Sequence, residues 1–275
     1  MFLPPDFSTD TSIELANLVD EAYSMYQADK NKTPWNYPTG YTGILQFNAR
    51  AIEEDKRLGF VAQKENGLYI IFRGTDNIAE WVRDVEANQA TFIPGWGKIH
   101  VGFRDILNSC KIGILESVHT HLQASITDVY VAGHSLGGAI ASLCLPYLKS
   151  NLETATNVNF HLYTFSSPRV GDRDFANSYI NNPKITTWRI FNTEDIFPTL
   201  PLAVNILPFT GQYEHVGLPV VYSVQDGSLV GNHSLDRFRE QLNQAATSIL
   251  TKDEIKQQPA ISRGGSFAPS PDKPG

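Results

Sequence analysis

At 275 residues, with 41% hydrophobic and 19% charged side chains, the chain is long and apolar enough to bury one large core. Its 29 acidic against 22 basic residues give a net charge of −7 with no basic cluster, which argues against a nucleic-acid partner and against electrostatic attraction to an anionic membrane. The opening residues lack the pattern of a secretory leader and no apolar run reaches transmembrane length, so a cytoplasmic protein is the expectation, with non-classical export left open.

In chain order, Thr11 to Tyr26 places Leu15, Leu18, Val19, Ala22 and Tyr26 on one helical face. Thr42 to Glu54 reads as a second helix or a helix-like connection. Strands are expected at Leu58–Ala62 and Leu68–Phe72, joined by Lys64-Glu65-Asn66-Gly67, which has Asn-Gly hairpin chemistry. After a loop from Arg73 to Gly97, one long helix is expected from Val101 to Leu122. Strand Asp128–Ala132 leads into Gly133-His134-Ser135-Leu136-Gly137-Gly138 and then a small-residue helix, Ala139 to Leu148. Strand Asn159–Phe165, helix Asp174–Asn181 and strand Ile185–Asn192 follow. The apolar, proline-containing segment Ile196–Phe209 precedes two last strands near Tyr213–Val216 and Val220–Val224, and a helix over Ser234 to Leu250. Residues 1–256 are expected to form a single domain, and 257–275, rich in Pro, Ser and Gly, a disordered tail.

Strands alternating with helices after residue 60 predict an α/β fold: a mostly parallel central sheet, helices on both faces, and a hairpin at one edge. Chemistry in such sheets sits at the carboxyl ends of the strands, and each motif below falls where a predicted strand ends. Cys110 and Cys144 lie beside apolar residues with no metal-ligand spacing, so buried free thiols and no metal are expected.

Gly133-His134-Ser135-Leu136-Gly137, set between a strand and a helix, has the form of a nucleophile elbow, in which a tight turn pushes the serine hydroxyl clear of the sheet. A serine needs a base, and the base an orienting acid. Among His161, His215 and His233, the histidines after Ser135, His161 lies inside an apolar strand and His215 in a predicted strand. His233 sits in a loop before the last helix and is favoured over His215. Asp195, ending a strand, is favoured as the acid over Glu194 and Asp226, while Asp172 and Asp174 read as helix caps. The oxyanion donors expected are the N–H of Leu136 and Thr75, the latter in Phe72-Arg73-Gly74-Thr75 at the end of an earlier strand. A plain Gly-Thr turn with Arg73 as a surface charge is the alternative.

These residues, with Trp81-Val82-Arg83-Asp84, His100-Val101-Gly102-Phe103, Phe165-Ser166-Ser167-Pro168-Arg169-Val170-Gly171, Asn192-Thr193-Glu194-Asp195 and His233-Ser234-Leu235-Asp236, resemble the class 3, fungal-type lipases of the α/β-hydrolase superfamily over roughly 70–240. The resemblance implies Ser135, Asp195 and His233 as a triad and Thr75 with Leu136 as the oxyanion hole. It also implies a lid after Thr75, where Ile78, Trp81 and Val82 lie at helical spacing. A fixed turn packing Trp81 into the core explains that segment equally well. Phe197, Leu200 and Leu202 are candidates for an acyl-chain groove, with core packing as the alternative. Two departures stand out: Ile196 where the family often has Pro, and Ser166 where it usually has Gly.

The expected function is hydrolysis of acylglycerols or related lipid carboxylic esters, with no cofactor, a lipid or other ester as partner, transient contact with a lipid interface, and an unassigned oligomeric state. Phospholipase A1 action, acyl transfer and feruloyl-ester cleavage use the same triad. A catalytically silent binding module is the alternative from another class, disfavoured because Ser135, Asp195 and His233 are all present.

Overall fold

The computed structural model describes residues 1, 3–51, 54–75, 88–152, 157–201, 203 and 212–244. A seven-stranded sheet runs through the molecule in the order β1 (Thr42–Ala51), β2 (Glu54–Lys64), β3 (Gly67–Phe72), β6 (Asp128–His134), β7 (Asn159–Phe165), β8 (Ile185–Asn192) and β9 (Leu218–Tyr222). The first two pairings are antiparallel and the next four parallel, so the architecture is the expected mostly parallel sheet. A separate two-stranded ribbon joins β4 (Gln89–Thr91) to β5 (Lys98–His100).

Strand β3 shows why this sheet must be covered on both sides. All six of its residues are buried. Leu68, Ile70 and Phe72 enter one apolar cluster while Tyr69 and Ile71 enter the other, as the period of two in a strand requires. The first cluster is closed by α2 (Val101–Asn108), α3 (Lys111–His121), α4 (Leu136–Asn151) and α5 (Arg173–Ile180). The second is closed by α1 (Thr9–Asn31) and a helix over 235–244. On α1, Leu15, Leu18, Val19, Ala22 and Met25 make the buried stripe; Ser8 caps its start by accepting from the Thr11 N–H at 3.2 Å, and Lys32 ends it in the left-handed region at φ 57.

The structure corrects four sequence expectations. Within the span Thr42–Glu54, Thr42–Ala51 is strand β1, not a helix. Register shifts between Gly43 and Leu45 and between Phe47 and Asn48 break the period of two, so that Ile44, Leu45 and Phe47 mimic helical spacing. The single helix expected from Val101 to Leu122 is two. At the junction Ser109 and Cys110 donate to carbonyls only three residues back, and the Ser109 hydroxyl receives the Arg50 N–H of β1 at 2.9 Å. Tyr213–Val216 is not a strand; Glu214 makes one isolated bridge to Gly171. In the β2–β3 turn Lys64 pairs with Gly67, so Glu65 and Asn66 are the central residues and Glu65, at φ 50, takes the left-handed conformation expected of an Asn-Gly pair.

Helix α4 carries a proline in its interior, Pro146. Lacking an N–H, Pro146 cannot donate to the carbonyl four residues earlier, that of Ser142. The Tyr179 hydroxyl, from α5, donates to that buried carbonyl instead. Burial raises the Tyr179 phenol well above its ordinary range, which keeps the donor proton in place. Replacing Tyr179 by Phe should cost about 1–3 kcal/mol, the penalty of a buried carbonyl left unpaired. Urea unfolding of the variant against wild type measures it.

Candidate active site

Ser135 lies where β6 passes into α4, at φ 56 and ψ −126, a conformation that costs a side-chain-bearing residue of order 1–3 kcal/mol. What enforces it is proximity. A β-carbon on Gly137 would stand 2.3 Å from the Arg73 carbonyl oxygen, so the first turn of α4 packs directly on the backbone leaving β3. The Ser135 N–H donates to the Phe165 carbonyl at 2.9 Å, tying the turn to β7. Leu136 is the first residue of α4, and its N–H therefore has no carbonyl within the helix to bond.

The loop leaving β3 is braced from beneath. Arg73 is 5% exposed, with Nε donating to the Arg57 carbonyl at 2.7 Å, Nη1 donating to the Gly74 carbonyl at 2.6 Å, and its guanidinium 3.6 Å from the centre of the Tyr26 ring. It is a buried brace rather than a surface charge. A β-carbon on Gly74 would lie 3.0 Å from Ser135 Cβ, so the loop carrying Thr75 runs alongside the serine.

Asp195 and His233 meet on the other side. Asp195 Oδ2 accepts from His233 Nδ1 at 2.6 Å, and Asp195 Oδ1 accepts the Phe197 N–H at 3.0 Å. Both residues are buried, so the carboxylate acts on the imidazole in a medium of low dielectric. The centres of the Phe197 and His134 rings lie 4.4 Å and 4.5 Å from that of His233. With Nδ1 as the donor, Nε2 keeps a lone pair, and it makes no hydrogen bond to the described residues.

Two asparagines hold the acid and base loops together. Asn192, fully buried at the end of β8, donates from Nδ2 to the carbonyls of Val224 (2.7 Å) and Asn232 (3.0 Å). Asn232, beside His233, donates to the Glu194 carbonyl at 3.0 Å. Neither was singled out in the sequence, where an amide at a strand end and another in a loop carry no mark of their partnership.

The competing residues are engaged elsewhere. Glu194 accepts from Thr193 and Ser223, and Asp226 pairs with Arg237 at 3.1 Å. Asp172 caps α5, with Asp174 in its first turn. His161 pairs with Asp128 at 2.8 Å near the start of β7. A cleft of about 470 Å³ lined by Phe92, Arg104, Lys111 and Tyr147, among others, lies at the last turn of α4, about 20 Å along the helix from Ser135, and takes no part in this arrangement. Among the described residues no His, Cys, Asp and Glu cluster could hold a metal ion, and Cys110 and Cys144 are buried free thiols.

A family profile for class 3 lipases matches residues 69–205, which contain Ser135 and Asp195. The Rhizomucor miehei lipase is 38% identical over 141 residues, 50% of this chain and 39% of that protein. The secreted mono- and diacylglycerol lipase 1 of Fusarium solani is 32% identical over 143 residues, 51% of this chain and 40% of that one. This chain thus spans about two-fifths of the length of those relatives. The solved Rhizomucor miehei triacylglyceride lipase superimposes with a TM-score of 0.63 at 26% identity, covering 78% of this chain and 81% of that one. This chain belongs to the class 3 lipase family.

Within that family framework, Ser166 acquires a meaning. Its φ is 50, in the left-handed region where glycine, the usual family residue there, avoids roughly 1–2 kcal/mol of strain. Ile196, the other departure, is 50% exposed beside Asp195. The lid candidates Ile78, Trp81 and Val82 and the groove candidate Leu202 lie outside the described residues, as does the tail from residue 257. Of the other groove candidates, Phe197 is buried against His233, and the Leu200 carbonyl accepts the Arg169 N–H at 2.7 Å.

His215, the alternative base, has a buried Nδ1 that makes no hydrogen bond to the described residues. Burial, then the Arg189 and Arg169 guanidinium groups, lower its pKa from 6.5 to about 3. The unfolded chain takes up this proton near pH 6.5 while the folded chain refuses it until about pH 3, so this group subtracts stability as pH falls through that window. The urea midpoint of wild type should therefore drop between pH 7 and pH 4, and His215→Gln should flatten the decline.

Proposed function

We propose that this protein is a serine hydrolase that cleaves carboxylic esters of lipids, acylglycerols or their relatives, through Ser135, His233 and Asp195. The observation that carries the reading is the 2.6 Å contact of Asp195 with His233 Nδ1. It leaves Nε2 as an acceptor at a site that already holds a serine in the strained backbone conformation of a nucleophile elbow. Membership of the class 3 lipase family supports the substrate class.

His233 Nε2 takes the Ser135 proton as Oγ attacks the ester carbonyl. The imidazolium so formed is stabilised by Asp195, an interaction strengthened because both side chains are out of water. The carbonyl oxygen, now an oxyanion, accepts from the Leu136 N–H and from Thr75; a donor of this kind contributes about 3–4 kcal/mol to the transition state. His233 then hands its proton to the leaving alcohol, and water repeats the sequence on the acyl-enzyme. Charge moves only among fixed groups, so little reorganisation is required.

The stretch after Asp195 lines the acyl chain, in the same reading. Ile196, Leu229 and Val230, which are 50%, 59% and 82% exposed beside the acid and base loops, give this end of the molecule an apolar rim suited to transient contact with a lipid interface. The net charge of −7 makes that contact hydrophobic rather than electrostatic.

Ser135→Ala should abolish p-nitrophenyl ester hydrolysis while the thermal midpoint stays near wild type; undiminished turnover by the variant would sink the assignment. Asp195→Asn should lower kcat by roughly 10⁴-fold, because an amide can hold the wrong imidazole tautomer and cannot balance its charge. Steady-state kinetics with an active-site titrant reads this effect.

A further inference from the structure

His134 occupies the variable position of the elbow motif and is 6% exposed, yet both of its ring nitrogens are hydrogen-bonded. Nε2 lies 2.8 Å from the His233 carbonyl oxygen and Nδ1 lies 2.9 Å from the Tyr23 hydroxyl. The Tyr23 oxygen in turn accepts the Gly74 N–H at 2.9 Å. Tyr23 lies on α1, 111 residues before His134, and belongs to none of the motifs.

The proton positions along this chain follow from the chemistry of its ends. A carbonyl can only accept, so His134 Nε2 carries a hydrogen and donates it to His233. Burial, and next the His233 imidazole, push the His134 pKa well below its ordinary value, against a smaller opposing effect of the bond to the His233 carbonyl; the ring is therefore neutral and its Nδ1 is a lone pair. Tyr23 must donate its hydroxyl hydrogen to Nδ1, and its oxygen lone pair receives Gly74. Every bond points the same way, from the loop after β3 to the backbone of His233.

The two ends are the two halves of the site. Gly74 precedes Thr75 and packs on Ser135, and its missing side chain is what admits Tyr23: a β-carbon there would stand 2.3 Å from the hydroxyl oxygen. His233 is the residue whose Nε2 must meet the serine. We propose that Tyr23 and His134 are positioning residues for ester hydrolysis, their hydrogen-bonded chain fixing the oxyanion loop and the base-bearing loop at one spacing across Ser135. The proposal rests on the hydrolase reading above.

Tyr23→Phe removes one oxygen atom and uncouples the chain at its middle. With the variant folded by circular dichroism, kcat on p-nitrophenyl butyrate should fall about 10–100-fold, the scale of a misplacement of up to an ångström, while KM stays within about twofold. A kcat within about twofold of wild type would overturn the proposal. Independently of any variant, long-range ¹H–¹⁵N spectra of the wild-type protein at pH 7 should show His134 as the neutral Nε2–H tautomer. The Nδ1–H tautomer, or a charged ring, would overturn it equally. Absence of ester turnover by the wild type would instead overturn the hydrolase reading, and the tautomer measurement does not depend on turnover.

Discussion

The close approach of α4 to the backbone leaving β3 is the contact on which the site depends. Gly137 touches the Arg73 carbonyl where any side chain would collide, and that approach sets three things at once. It turns Ser135 into a left-handed conformation. It aims the first free N–H of a buried helix at the same point. It also brings the Gly74–Thr75 loop alongside. The strain stored at Ser135 persists because α4 is buried along most of its length, between the sheet and its neighbouring helices, with no freedom to back away.

Opposite this rigid half stands a half assembled from loops. Asp195 and His233 come from segments 38 residues apart, and neither sits within regular structure. Their fixity comes from polar bonds: Asn192 and Asn232 stitch one loop to the other, and Asp195 is further tied to the Phe197 N–H. Buried polar networks of this kind are costly unless complete. The atom at its centre that bonds to none of the described residues, His233 Nε2, faces the task of taking a proton. The Tyr23–His134 chain then joins the loop half to the rigid half through side chains that sequence position does not relate.

Much of this was legible in the chain because the parallel strands are short, apolar and bounded by their motifs. β7 and β8 were read to the residue, and the elbow and the acid loop each fall directly after a strand. What stayed hidden had physical causes. Bulges in β1 erased its alternation, and a Ser109 side chain already engaged with β1 divided a helix that periodicity alone would continue. Arg73 read as a surface charge because nothing local announces the Tyr26 ring and the carbonyls beneath it. His134 sat in plain view inside the best motif, but a residue at a variable position is recognised only by its bonds.

Pro146 and Tyr179 carry a consequence of a different kind. The proline creates an orphan carbonyl and the tyrosine satisfies it, so the two positions, 33 apart in the sequence, share one energetic debt. Substitutions at them are coupled rather than additive. Once Pro146 gives way to a residue with an N–H, the Ser142 carbonyl gains a second donor and no longer depends on the Tyr179 hydroxyl alone. Drift at either site is thus conditional on the other, and the order in which the two change decides whether the intermediate chain remains stable.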